Sequence, residues 1–274
     1  MNRKCLQFLL VFCAIVPVCA QVYNGDFELI DPNSPPDFNA PRDWNRENYA
    51  AVVDNFIPEP EPGQGNYGNW LIDTEIGLSP YHNQFFVVLS TGDFTPDPQK
   101  AQIWQNIHVK GDDRISGVYF FGTCDYPQYD DYATITLIPD SNSSLRDIVL
   151  VRISASDVGQ FGSMAGWERF EYTFSPPEAG TYDLVLMVTD LIDDIYESYL
   201  AVDDITICAA PEYGDLNYDC HVNMTDFSLL AQDWLQDCSD SDYLADPNNN
   251  CSYGTNIDSN GLVDTNDLYL TRQS

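Results

Sequence analysis

The sequence predicts a mostly β protein, an antiparallel β-sandwich followed by a small α-helical module, and three observations predict it. Seven short runs rich in β-branched and aromatic residues fall between residues 103 and 207, separated by Gly, Pro, Asp or Asn turns. No long stretch before residue 210 carries a helical period. Beyond it, two twelve-residue stretches repeat one register of Asp and Asn. The 274 residues thus divide into a leader over 1–20, a sandwich over 21–210 and a small module over 211–274.

The leader has a basic start at Arg3 and Lys4, an apolar core from Leu6 to Val18, and Val18-Cys19-Ala20 as a small-residue cleavage site before Gln21. This is the pattern of a secretory signal peptide. A membrane anchor fits less well, because the apolar run is shorter than the ~20 residues a spanning helix needs. A lipoprotein site at Cys19 is disfavoured by the bulk of Val18. The mature chain is expected outside the cytoplasm, secreted or at the cell surface.

In order, the runs are Ile103–Val109, Ile115–Phe121, Tyr132–Ile138, Ile148–Ile153, Phe170–Phe174, Tyr182–Thr189 and Tyr199–Ile207. Their spacing and turn chemistry suit strands of an antiparallel sandwich with jelly-roll connections.

The first Asp/Asn stretch places Asp215, Asn217, Asp219, Asn223 and Asp226 at positions 1, 3, 5, 9 and 12, with the His221 carbonyl at 7. The second places Asn256, Asp258, Asn260, Asp264 and Asp267 likewise, with the Leu262 carbonyl at 7 and Gly261 at the sharp turn. Calcium is a hard cation that takes six to eight oxygens, and this alternation wraps them around it. Solvated Asp/Asn turns are the competing reading for one such loop; two loops in register favour two bound Ca2+. After the first loop, Phe227, Leu230, Ala231, Trp234 and Leu235 fall at helical spacing, which predicts a helix over about Asp226–Leu235.

The paired EF-hand-like loops, each ending in Asp, resemble a type I dockerin over roughly Gly214–Ser274. That resemblance implies a cohesin-type partner, contacted by the two residues before each loop's last ligand: Met224 and Thr225, and Thr265 and Asn266. The pairs differ in chemistry, which argues against docking in two equivalent orientations. A long Asp/Asn/Ser-rich insert between the loops, with two cysteines, departs from the dockerin pattern.

Asn24-Gly-Asp-Phe27-Glu28 with Pro41 and Trp44, and Leu200-Ala-Val-Asp203-Asp204-Ile-Thr-Ile, resemble the first and last strands of galactose-binding-like and carbohydrate-binding jelly rolls. With Gly111–Phe121, Asp125–Ala133 and Val188–Asp203, they are similar to a module of bacterial exported surface proteins, over most of 22–207. The resemblance implies a structural calcium tying the first strand to the last. Candidate ligands are Glu28, Asp125, Asp131, Asp190 and Asp203, against the reading of ordinary solvated loop acids. Asp203 and Asp204 are adjacent in a strand, so only one is expected to face inward.

Loss of the leader removes Arg3 and Lys4 and no acid, moving the formal net charge from −32 to −34. Nothing remains to form the basic footprint of a nucleic-acid binder. Such charge strains a compact fold unless counter-ions such as calcium help, although a salt-adapted habitat selects acidic surfaces too. Among the cysteines, Cys208, Cys220, Cys238 and Cys251 bracket the loops, where a small secreted module needs covalent support. Of three possible pairings, Cys238 with Cys251 and Cys208 with Cys220 is the expected one. Cys124 is then a buried thiol, or an alternative partner of Cys208. The sequon at Asn223 coincides with a calcium ligand, so glycosylation there conflicts with the metal reading; the others are at Asn142 and Asn250.

No nucleophile elbow, zinc motif or phosphate-binding loop occurs. A glycosidase needs only two carboxylates, and a chain with 43 acids always offers a pair. Sugar-binding modules instead stack aromatics on pyranose rings. Trp44, Trp70, Tyr81, Trp104 and Trp167 are candidates, with Trp70 and Tyr81 preferred because they lie in a Gly/Asn/Pro-rich stretch that reads as loop; core packing is the alternative for each. The sequence therefore supports a non-catalytic, dockerin-anchored module that binds polysaccharide. Its rivals are a small glycoside hydrolase and a structural calcium-binding surface protein or adhesin.

Overall fold

A computed structural model of the chain describes residues 21–34, 39–58, 66–92, 100–191, 196–209 and 224–232. The leader, Cys220, Cys238, Cys251, Asn250, the ligands at 215–223, the whole second calcium loop with Thr265 and Asn266, and Trp234 and Leu235 lie outside them.

Ten strands form two five-stranded sheets. They are β1 (Asn45–Glu47), β2 (Tyr49–Val53), β3 (Phe86–Ser90), β4 (Lys100–Val109), β5 (Arg114–Thr123), β6 (Tyr132–Pro139), β7 (Ile148–Ser154), β8 (Glu168–Thr173), β9 (Gly180–Thr189) and β10 (Ser198–Cys208). The first sheet has the order β1-β4-β9-β6-β7, the second β2-β3-β10-β5-β8. Every strand pair is antiparallel. All seven strands expected from the sequence are present. The chain adds three that it did not reveal: β1 is short and wholly exposed, and β2 and β3 are apolar runs of five.

The sheets differ in what their faces meet. In β4, β6 and β9 buried and partly exposed residues alternate, as a sheet does when one face packs on a core and the other meets water. Ala101, Ile103, Ile107, Ala133, Ile135, Leu137, Leu184, Leu186 and Val188 supply the packed face. In the second sheet, β5 and β10 are buried almost throughout. Phe121 and Leu200 face the first sheet, while Phe120, Gly122 and Tyr199 face a layer of loops drawn from 54–85 and 160–167. Bridges between Phe56 and Leu78, Asn69 and Gly162, and Gly122 and Ser163 fix that layer.

Trp70 is the pin of this layer. It is 7% exposed, and its ring lies against Phe120, Tyr199 and Phe56 with centroids 5.7, 6.0 and 6.1 Å away. Its indole N–H donates to the Thr123 carbonyl at 3.0 Å. Gly122 makes this approach possible, since a Cβ there would sit 2.5 Å from the indole ring. Trp167 pins the other end, packed edge-on against Phe86 and donating to the Ser79 carbonyl at 2.9 Å. Trp70 is therefore a core residue and not the loop-borne stacking platform expected, because its loop covers a sheet instead of bordering solvent.

A helix, α2, spans Met224–Gln232 and begins two residues before the expected start. Asp226 and Leu230 are buried on it while Met224, Thr225 and Phe227 are exposed. The short α1 (Ala155–Val158) follows β7. Cys124 is a free, buried thiol and Cys208 is disulfide-bonded. The alternative Cys124–Cys208 pairing therefore does not occur, and the expected pairings of Cys208 with Cys220 and of Cys238 with Cys251 fall outside the described residues. No described helix is long and apolar enough to cross a membrane.

Candidate functional site

Among the described residues, no loop layer covers the outer face of the first sheet, whose side chains are partly exposed. Register builds this face. Trp104 on β4 stands between Asn45 on β1 and Val185 on β9, and Val185 faces Thr136 on β6. In the next row, Gln102 lies between Glu47 and Met187, Met187 faces Thr134, and Thr134 faces Arg152 on β7. Trp104, Val185 and Met187 form a partly exposed apolar floor flanked by hydroxyl and amide groups.

The charged groups of this face are each engaged. Lys100 Nζ lies 3.2 Å from Glu47 Oε2, which also accepts from Gln102 Nε2 at 2.8 Å. Asn106 Nδ2 donates to Asp183 Oδ1 at 3.1 Å. The Arg152 guanidinium sits over the Tyr132 ring, 4.2 Å from its centroid. Burial pushes the Asp130 carboxyl up, but hydrogen bonds from Ser156 and Ser154 and the charge of Arg152 outweigh it and hold that carboxyl below its usual range. A floor of this kind presents an aromatic face to C–H groups and short polar side chains to hydroxyls.

The five acids considered for a calcium in the sandwich separate into two places. Glu28 and Asp203 anchor the segment before β3. Glu28 Oε1 accepts from the backbone N–H groups of Gln84 and Phe85 at 2.8 and 2.9 Å. Asp203 Oδ2 accepts from those of Tyr81 and His82, both at 3.0 Å, and Oδ1 from that of Asp204 at 2.8 Å. Backbone donors aimed at both carboxylates are what an anion needs and what a cation does not, so this pair fits a loop anchor better than a metal site.

Asp125, Asp131 and Asp190 lie at the other end of β10, all buried. Ser198, which touches Asp131, is five residues from Asp203, or about 17 Å along the strand. Ser198 Oγ is 2.6 Å from Asp131 Oδ2 and 2.8 Å from Thr123 Oγ1. One hydroxyl proton cannot serve both, so Ser198 donates to the carboxylate and Thr123 donates to Ser198. Thr123 Oγ1 in turn accepts from the Asp125 N–H at 3.0 Å. Among the described residues, no three His, Cys, Asp or Glu side chains are arranged to hold one metal ion.

Asp203 sits on the outer face of the second sheet, fully buried beneath Tyr81 and His82. Burial raises its carboxyl to about 7 despite the three backbone donors. Asp204 is half-buried with φ of 55°, at a register shift of β10 against β5. Burial pushes its carboxyl up too, against the pull of His82, whose Nδ1 is 3.6 Å away, and of Arg169. Simple alternation of the two acids is replaced by a bulge: Asp203 is buried under the loop and Asp204 is half-buried beside it. Tyr81 is half exposed on that loop, whereas Trp44 is buried against Phe27.

Sequence reasoning named Trp104 without preferring it. The usable signal was alternation: in Lys100–Val109, polar or large residues at 100, 102, 104, 106 and 108 interleave with mostly apolar ones.

No protein-family model and no curated protein matches the chain. Solved structures do. TmCBM61, solved in complex with β-1,4-galactotriose, is 12% identical with a TM-score of 0.37, over 69% of this chain and 97% of that one. A cyclase from Fischerella sp. is 12% identical with a TM-score of 0.39, over 71% and 98%. The K2 cleaved adhesin domain of Lys-gingipain is 11% identical with a TM-score of 0.33, over 61% and 90%. The similarity is one of architecture.

Proposed function

We propose that the mature chain is a secreted, non-catalytic module that binds polysaccharide on the open face of its first sheet. A C-terminal type I dockerin holds it on a cohesin-bearing surface or polysaccharide-degrading assembly. The observation that carries the binding role is the asymmetry of the sandwich. One sheet is sealed by a loop layer pinned by Trp70 and Trp167, while the other keeps Trp104 partly exposed on a floor that no described loop covers.

The dockerin reading draws support from α2. Asp226, the last oxygen ligand of the first loop, is 2% exposed, while Met224 and Thr225 before it are turned outward, Met224 at 74%. A loop closing on calcium needs that acid inside and leaves the preceding pair for a partner. Asp215, Asn217, Asp219, Asn223, Asp226 and the His221 carbonyl would hold one ion. Asn256, Asp258, Asn260, Asp264, Asp267 and the Leu262 carbonyl would hold the second. Bound calcium would supply the charge that lets these carboxylates fold together.

The test is to incubate the mature chain, with calcium, against plant and algal polysaccharides while measuring both retention and released reducing sugar. Retention without release is expected. Release would replace the binding role by a hydrolase, and neither signal would leave a structural surface protein.

A further inference from the structure

We propose that the open face takes an uncharged glycan chain, laid obliquely across the strands from Trp104 to Tyr132, and that it discriminates against polyanionic glycans. This rests on the reading of the module as a glycan binder and specifies the chemistry of its ligand.

Charge on this face favours a neutral ligand. An anionic glycan needs a cation that is free to meet its carboxylate or sulfate, and the two cations of this face are committed. Lys100 is held by Glu47 at 3.2 Å. Arg152 sits over the Tyr132 ring, 4.2 Å from its centroid, and supports the ionised form of Asp130. The remaining acid, Asp183, is engaged by Asn106. The face is thus near neutrality on a chain whose formal charge is −32. The field of that charge repels a polyanion before contact and leaves a neutral chain unaffected.

The spacing of the aromatics favours a chain several sugars long. Tyr132 is two strands over from Trp104, whose row it leaves by four residues along β6. That is about 10 Å across and about 13 Å along, or roughly 16 Å on the diagonal. Two aromatics that far apart are too distant for one sugar ring and suit the ends of a short oligosaccharide. Met187 and Val185 floor the space between them, and Thr134 and Thr136 offer hydroxyls beside it. The Arg152 guanidinium braces the Tyr132 ring by a cation–π contact, so this second platform is already oriented.

The experiment uses the mature, calcium-loaded chain in affinity electrophoresis and calorimetry. The probes are neutral galactomannan, arabinoxylan and mixed-linkage β-glucan, anionic polygalacturonate and alginate, and a ladder of neutral oligosaccharides. Variants are Trp104→Ala, Tyr132→Ala and Arg152→Gln, each checked for wild-type melting. The expected result is retention by at least one neutral polymer, little changed between low and high salt, with affinity rising along the ladder. Trp104→Ala lowers that affinity about tenfold or more, Tyr132→Ala lowers it only for the longer oligosaccharides, and Arg152→Gln, which removes the brace of that ring, lowers it for the same longer oligosaccharides by a smaller factor.

Preferred retention by polygalacturonate, abolished by salt and by Arg152→Gln, would overturn the ligand class while leaving the binding module intact. Neutral binding indifferent to Trp104→Ala and Tyr132→Ala would overturn the placement on this face. No retention by any probe would sink both this inference and the module reading beneath it.

Discussion

Asp203→Asn separates the charge of a buried carboxyl from its hydrogen bonds. In the native fold the side chain accepts from three backbone N–H groups, two at Oδ2 and one at Oδ1. An asparagine keeps the acceptor for Tyr81 and His82 but turns an amide N–H2 toward the Asp204 N–H, where two donors then meet. Losing that bond costs about 1 kcal/mol, and up to about 3 if the N–H stays dry. The charge acts in the opposite sense. With the folded carboxyl near 7 and the unfolded one near 3.9, the fold retains a proton that the unfolded chain has released. Stability from this group is therefore present at acid pH and falls as pH rises from about 4 to about 7. Three units correspond to at most about 4 kcal/mol, and screening by water at the exposed His82 leaves roughly 2 kcal/mol.

The variant should accordingly melt below wild type at pH 5 and draw level with it at pH 8. The closing gap of roughly 2 kcal/mol amounts to about 4–8 °C for a domain of this size. Melting curves of both proteins across pH 4–8 make the check, with the calcium concentration held constant. A gap that is the same at pH 5 and pH 8 would refute the raised carboxyl, whatever the variant's absolute stability.

Gly122→Ala drives a methyl into the Trp70 ring, 2.5 Å from the nearest atoms, and should cost about 1–3 kcal/mol by chemical denaturation. Chelation with EDTA should unfold residues 214–274 and leave the β-sheet signal intact; unchanged helical circular dichroism would argue against metal-coupled folding. Cys124 is buried, and burial together with the Glu197 and Asp125 charges raises its thiol far above the ordinary range. A thiol reagent at pH 8 should therefore miss it in the native protein and label it in denaturant, as read by peptide mapping.

The sequence carried the strand positions well because their signal is local. Ile103, Ile107 and Val109 alternate with Trp104, Asn106 and His108, and a period of two needs no knowledge of the partner strand. β1 lacked that signal, since Asn-Arg-Glu has no apolar residue and owes its strand form to its pairing with Gln102, Ile103 and Trp104. Likewise, nothing in Asp203-Asp204 announces the bulge that turns Asp204 to φ of 55°.

The proposed binding face was harder to read because it depends on which sheet face is covered, and that is settled far away in sequence. Trp70 and Trp104 each stand among polar neighbours in the sequence. What separates them is Gly122, 52 residues from Trp70, whose missing side chain admits the indole to the second sheet. The segments 54–58 and 66–85 are then drawn over that sheet, the latter held by the amide contacts to Glu28 and Asp203. No comparable tryptophan pin tethers a loop across the first sheet among the described residues, so Trp104 keeps solvent on its outer side. The same hydrophobic driving force that buries one tryptophan thus leaves the other available to a ligand. The sequence-level mark of the difference is a glycine at the position the first tryptophan must approach.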